Sequence, residues 1–282
     1  MASPQPKPAL ALNPELFHIS FGPVSTKTPT IIYLHGMISS HLESANMAPY
    51  LSDAYHLLLV DLNGHSNSAA ITPYTIPAMA DRVASLIRRR ARNGTAHVVG
   101  VSMGGYVALD LARRYPSLVE SVFNAGAVPL QDNRIAVWML SHPGIVWYLF
   151  KLSFDWLPTS LVQWMQSRRG VIISDELLVD MRRNLRWDVV RDVLGSMLLF
   201  GSKELAEIRP RVVGVAAALS EDIEAMRREG LVLRENGNRA SRAVVLEKAV
   251  HAWVLQYPEL FARGVRAWVE GEELPEEYEA LE

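Results

Sequence analysis

Apolar and polar positions alternate along the first 128 residues between two rhythms. "PTIIYLHG" (29–36), "YHLLLVDLNGHSNS" (55–68), "HVVGV" (97–101) and "LVESVFNAGAV" (118–128) are short apolar segments bounded by glycine or polar turns, the pattern of buried strands. Between them, "ESANMAPYLSD" predicts a short helix, and "IPAMADRVASLIRRR" (76–90) a longer one with Pro77 in its first turn. Gly105 to Tyr115 again carries apolar residues at helical spacing. Strand and helix in strict alternation imply right-handed crossovers and a parallel sheet with helices on both faces.

The rhythm breaks after Pro129. Residues 129–206 have helix-like apolar spacing without a strand, and hold Trp138, Trp147, Trp156, Trp164 and Trp187 of the chain's 7 tryptophans. A helical lid is expected here, inserted into a core made of 1–128 and 207–282. Strand character resumes in "RPRVVGVAAAL" (209–219). "SEDIEAMRREGLVL" reads as a helix with Ser220 as its N-cap. "SRAVVLEKAVHAW" (241–253) reads as a last strand running into a loop, and "YPELFARGVRAWVEG" as a closing amphipathic helix. The proline-rich residues 1–16 and the Glu-rich tail from 271 are expected to lie in solvent. No internal repeat and no linker divides the chain.

Composition narrows the function. Of 282 residues, 49% are hydrophobic, enough for a sizeable core, and 28 basic against 30 acidic residues leave a net charge of -2. That balance offers no electrostatic case for nucleic acid or a membrane surface. The basic run Arg88-Arg89-Arg90-Ala91-Arg92 ends a helical pattern, where cations suit the helix dipole. Without cysteine, thiol catalysis, disulfides and Cys-based zinc sites are excluded. The N-terminus is a poor signal peptide, and the longest apolar stretch, near "GIVWYLF", is far short of a membrane span. A soluble, cytoplasmic chain is expected; its oligomeric state, a homodimer included, is left open.

The candidate chemistry sits at strand ends, where open parallel sheets bind ligands. Ser102 lies in Gly100-Val101-Ser102-Met103-Gly104, at the seam between a strand and a helix. A residue forced through so tight a turn is strained, and small neighbours relieve the crowding. The result is a hydroxyl held above the sheet beside a helix N-terminus, the geometry of a nucleophile elbow. Glu221 and Asp222 follow a later strand, His251 follows the last, and His35-Gly36-Met37 follows the first. A serine needs a base within reach and a third group to orient that base. His35 and His65 read as hydrogen-bonding loop histidines, since such a site uses one base. His35 and His41, six apart without a carboxylate pair, are poor metal ligands. No Gly-rich phosphate loop is present, so neither nucleotide nor metal is expected.

"YLHGM" (33–37), "DLNGHSNS" (61–68), "GVSMGG" (100–105), "RVVGVAAALSED" (211–222) and "AVHAW" (249–253) together resemble the α/β-hydrolase family, in the style of lid-bearing esterases, lactonases and carbon–carbon bond hydrolases. The resemblance spans residues 30 to about 255. It implies an α/β fold with a mostly parallel, doubly wound sheet. It also implies Ser102 as nucleophile, His251 as general base, Asp222 as orienting acid, and the backbone N–H groups of Met103 and Met37 as the oxyanion hole. Glu221 competes for the acid's place, and Asp132 would hold it in relatives whose acid follows the earlier strand. Gly64-His65-Ser66 departs from the family's usual Gly-His-Gly. The expected reaction is hydrolysis of an ester, lactone, thioester or related carbonyl bond in a hydrophobic small molecule, without cofactor. A lyase or cyclase using the same pocket, and a catalytically silent ligand-binding relative, are the alternatives.

Overall fold

The computed structural model describes residues 13–23, 25, 27–131 and 133–281. Asp132, like residues 1–12, lies outside the described residues.

Eight strands form one sheet: β1 (His18–Phe21), β2 (Thr30–Leu34), β3 (His56–Val60), β4 (Ala96–Val101), β5 (Val119–Ala125), β6 (Arg211–Ala217), β7 (Arg242–Leu246) and β8 (Glu279–Ala280). Their order is β1-β3-β2-β4-β5-β6-β7-β8. All pairings are parallel except β1 with β3 and β7 with β8. The inner strands are buried on both sides, which is why they read as unbroken apolar runs rather than alternations. The four-residue β1 was too short and mixed to be legible.

Helix α1 (Ile76–Arg90) follows β3, and α2 (Met103–Arg114) follows β4 with Ser102 alone between them. Arg88, Arg89 and Arg90 do close α1, and Arg89 and Arg90 reach Glu15 at 3.0 and 2.8 Å. The helix expected in "ESANMAPYLSD" is instead two 3-10 turns, His41–Ser44 and Ala48–Tyr50.

Between β5 and β6, the described residues hold helices only: α3 (Arg134–Leu140), α4 (Pro143–Phe150), a π turn (Lys151–Asp155), α5 (Thr159–Ser167), α6 (Asp175–Asn184), α7 (Trp187–Met197) and α8 (Ser202–Ala206). Then come α9 (Ile223–Glu235), α10 (Trp253–Gln256) and α11 (Pro258–Glu270). Adjacent residues of β5 show that helices cover both faces. Phe123 packs its ring 5.4 Å from Phe261 of α11, while Asn124, pointing the other way, donates to Glu229 of α9 at 2.9 Å.

Two further expectations need correction. Asp222, not Ser220, caps α9, its carboxylate accepting the Ala225 N–H at 3.0 Å. The Glu-rich tail is not wholly solvated: Tyr278 and Leu281 are buried, and Tyr278 lies 6.0 Å ring to ring from Trp253. No single helix among the described residues is long and apolar enough to cross a membrane.

Candidate active site

The sharpest backbone feature is Ser102, at φ 52 and ψ -114, between β4 and α2. Its N–H donates to the Ala125 carbonyl at 2.8 Å, tying it to the end of β5. A side chain at Gly104 would run into the Leu34 and His35 carbonyls, and one at Gly100 into Gly104 itself. The glycines of the motif thus let α2 start directly against β2. Met103, the first residue of α2, has an N–H that the helix cannot pair. The Met37 N–H also finds no acceptor among the described residues.

The loop of Met37 borders Ser102: a Cβ on Gly36 would stand 3.7 Å from the Ser102 Cβ and 3.3 Å from a Glu43 carboxylate oxygen. Glu43 is buried and accepts the Gly36 N–H at 3.0 Å and the Tyr33 hydroxyl at 2.7 Å.

His251 and Glu221 form the second half. The His251 Nδ1 lies 2.6 Å from Glu221 Oε1, while Glu221 Oε2 accepts the Ala217 N–H at 2.8 Å. Both oxygens of Glu221 are therefore held, and Nδ1–H donating leaves Nε2 free to accept a proton. The His251 N–H donates to the Ser220 hydroxyl at 2.6 Å, so the residue expected to cap a helix steadies the histidine loop. Partial desolvation pushes the imidazole down, but the Glu221 hydrogen bond, its charge and that of Glu43 leave it above the usual 6.5. The side chain keeps 48% of its surface open to solvent.

Glu221, not Asp222, is thus the carboxylate on His251. Asp222 is turned away, one oxygen on the α9 cap and the other 3.4 Å from the Asn133 amide. Gly126, which pattern reading passed over, makes the pairing possible. It has φ +82, and a Cβ there would collide with the Glu221 carboxylate and come within 3.2 Å of the His251 ring.

The other histidines are structural links. His35 donates through Nδ1 to the Gly36 carbonyl at 2.8 Å and accepts the Leu62 N–H at 3.1 Å; His65 accepts the Ile38 N–H at 3.3 Å. Desolvation holds both below the usual imidazole value, His65 at about 3. His41 lies 2.8 Å from Asp61.

Residues 29–149 match the profile of the alpha/beta hydrolase fold. An AB hydrolase superfamily protein of Gibberella zeae is 30% identical over 267 residues, 89% of this chain and 84% of that one. The chain belongs to the α/β-hydrolase superfamily and is a hydrolase of that fold. A pimeloyl-[acyl-carrier protein] methyl ester esterase of Neisseria meningitidis is 26% identical, over 86% of this chain and 93% of its own. Among solved structures, E-2-(acetamidomethylene)succinate hydrolase superposes with a TM-score of 0.70 at 18% identity, covering 90% of this chain and 95% of its own.

Proposed function

We propose that the protein is a serine carboxylic-ester hydrolase acting on a hydrophobic small molecule, with Ser102 as nucleophile, His251 as general base and Glu221 as orienting acid. The observation that carries this reading is the 2.6 Å Glu221–His251 pair, packed on Gly126, together with a serine at φ 52 whose N–H is bonded to the neighbouring Ala125. Glu221 holds the tautomer in which His251 Nε2 can take the Ser102 proton. The Ser102 oxygen then bonds to the ester carbonyl carbon, and the carbonyl oxygen takes up the charge. The Met103 and Met37 N–H groups face that oxyanion, the first aided by the α2 dipole. Collapse returns the proton from His251 to the leaving alcohol. Water, deprotonated by the same imidazole, releases the acid and restores Ser102.

The helical segment 129–206 acts as a cover for this site. Its aromatic content, with Trp147 and Trp187 at 6.2 Å edge to face, supports an apolar substrate wall. The curated esterase relative supports an ester as the bond cleaved.

Labelling with a fluorophosphonate, read by intact mass, tests the assignment. One adduct is expected on the wild type and none on Ser102→Ala. Ester turnover should fall by about 10⁴-fold in Glu221→Gln, and stay within about twofold in Asp222→Asn, because asparagine caps as well as aspartate. The reverse ranking would return the acid's role to Asp222. Turnover that survives Ser102→Ala would point to base-only lyase chemistry.

A further inference from the structure

Beyond the elbow, the described residues hold two other non-glycine residues at positive φ, Ile38 at 62 and Ser66 at 44. Such a conformation is strained for any L-residue and more so for a β-branched one. The two positions lie in different loops, after β2 and β3, yet one side chain grips both. Asn184, the last residue of α6, is 1% exposed. Its Oδ1 accepts the Ser66 N–H at 2.7 Å. Its amide group is shared among the Ser66 hydroxyl at 2.9 Å, the Ser39 carbonyl at 2.8 Å and the Ile38 carbonyl at 3.2 Å.

We propose that Asn184 is a positioning residue that ties the helical insertion to the oxyanion-hole loop. It holds Ile38 and Ser66 in their left-handed conformations and so sets the direction of the Met37 N–H. The proposal rests on the serine-hydrolase reading above. The loop around Met37 is pinned from within by three hydrogen bonds. Glu43 holds the Gly36 N–H, Ser39 N–H closes back on the Gly36 carbonyl at 3.1 Å, and His65 takes the Ile38 N–H. Among the described residues, Asn184 is the hydrogen-bond partner that reaches residues 36–39 from outside these two loops. It is seated by its neighbours: Leu185 accepts the Trp147 indole N–H at 3.3 Å, and Arg186 reaches the Ala69 carbonyl at 3.2 Å and the Tyr74 hydroxyl at 2.9 Å. The oxyanion hole is therefore complete only with the insertion seated on the core.

The test measures kcat and KM on a p-nitrophenyl ester, with the melting temperature of each variant as a folding check. Asn184→Asp keeps the acceptor for Ser66 but loses every donated bond. Its kcat should fall by about 10- to 100-fold with KM within about twofold, the cost of a misaimed donor rather than a lost binding wall. A second arm compares Asn184→Ala alone and combined with Ile38→Gly. Glycine adopts positive φ unaided, so the alanine should cost less than about a third as much kcat in that background. A third arm follows amide exchange of residues 36–39, which should quicken by at least about tenfold in Asn184→Asp whether or not an ester is turned over. An unchanged kcat, a loss confined to KM, equal costs in both backgrounds, or unchanged exchange would each overturn the proposal. An inactive, unlabelled wild type would instead remove the serine-hydrolase reading, and the exchange arm alone would then decide the clamp.

Discussion

Glu229 should make this protein lose stability as pH rises through neutrality. The residue is 1% exposed on α9, with one carboxylate oxygen accepting from Asn124 and the other without a partner among the described residues. Desolvation, only partly offset by the Asn124 hydrogen bond, pushes it from 4.5 up to about 8. A raised folded value means that the folded chain keeps a proton the unfolded chain releases from pH 4.5 upward. Its contribution is full below 4.5 and is lost as pH climbs through about 8. At about 1.4 kcal/mol per pH unit, with the titration incomplete at both ends of the range, the loss between pH 5 and 8 comes to about 3.5 kcal/mol, set against a typical total of about 5–15 kcal/mol. The consequence reaches the site, because Asn124 also accepts the Ala127 N–H at 3.1 Å and donates to the Ala127 carbonyl at 2.6 Å, bracketing Gly126. Glu229→Gln removes the titration while keeping the acceptor for Asn124. Urea denaturation of both proteins at pH 5, 6, 7, 8 and 9 gives the difference, in which other titrating groups such as His35 and His65 cancel. The variant should gain about 3.5 kcal/mol on the wild type from pH 5 to pH 8. Two parallel profiles would refute the reasoning.

Three further outcomes are expected. Gly126→Ala should cut kcat by at least about 100-fold while the protein remains folded, because the added methyl displaces both Glu221 and His251; near-normal turnover would show that the pair can shift together. The rise of kcat/KM with pH should have its midpoint above 6.5, since the proposed mechanism needs neutral His251 and Glu221 favours the charged form. In Glu221→Gln the midpoint of the residual activity should move down. Tyr278→Ala should cost about 3–5 kcal/mol in denaturation, as its ring packs between Phe123 and Trp253 and its hydroxyl donates to the Leu260 carbonyl at 2.9 Å.

The strained serine was legible because its strain has a local signature, small residues on both sides between a buried run and a helix. Helix α1 matched its apolar spacing to the residue. The acid was harder, because Glu221 and Asp222 are neighbours and spacing cannot separate them. A physical signal did exist: aspartate is a strong N-cap and glutamate is not, so the aspartate before α9 is drawn into capping and leaves the glutamate to His251. Asn184 could not be found this way, since its partners lie 118 and 145 residues back in the chain. The tail misled for another reason. Its acids dominate the composition, but two apolar residues, Tyr278 and Leu281, decide where it lies.

That tail has a consequence for how molecules of this protein behave toward one another. β8 contributes only two residues, yet among the described residues it is the strand that pairs with Val244 and Val245 on the side of β7 away from β6. A chain cut after residue 277 would present "RAVVL" as an open strand edge, with bare N–H and C=O groups along an apolar run. Such a protein would recruit a neighbour's strand in place of its own. The short C-terminal bridge is therefore expected to guard against aggregation as well as to hold the fold, and truncation should be read first in the soluble fraction.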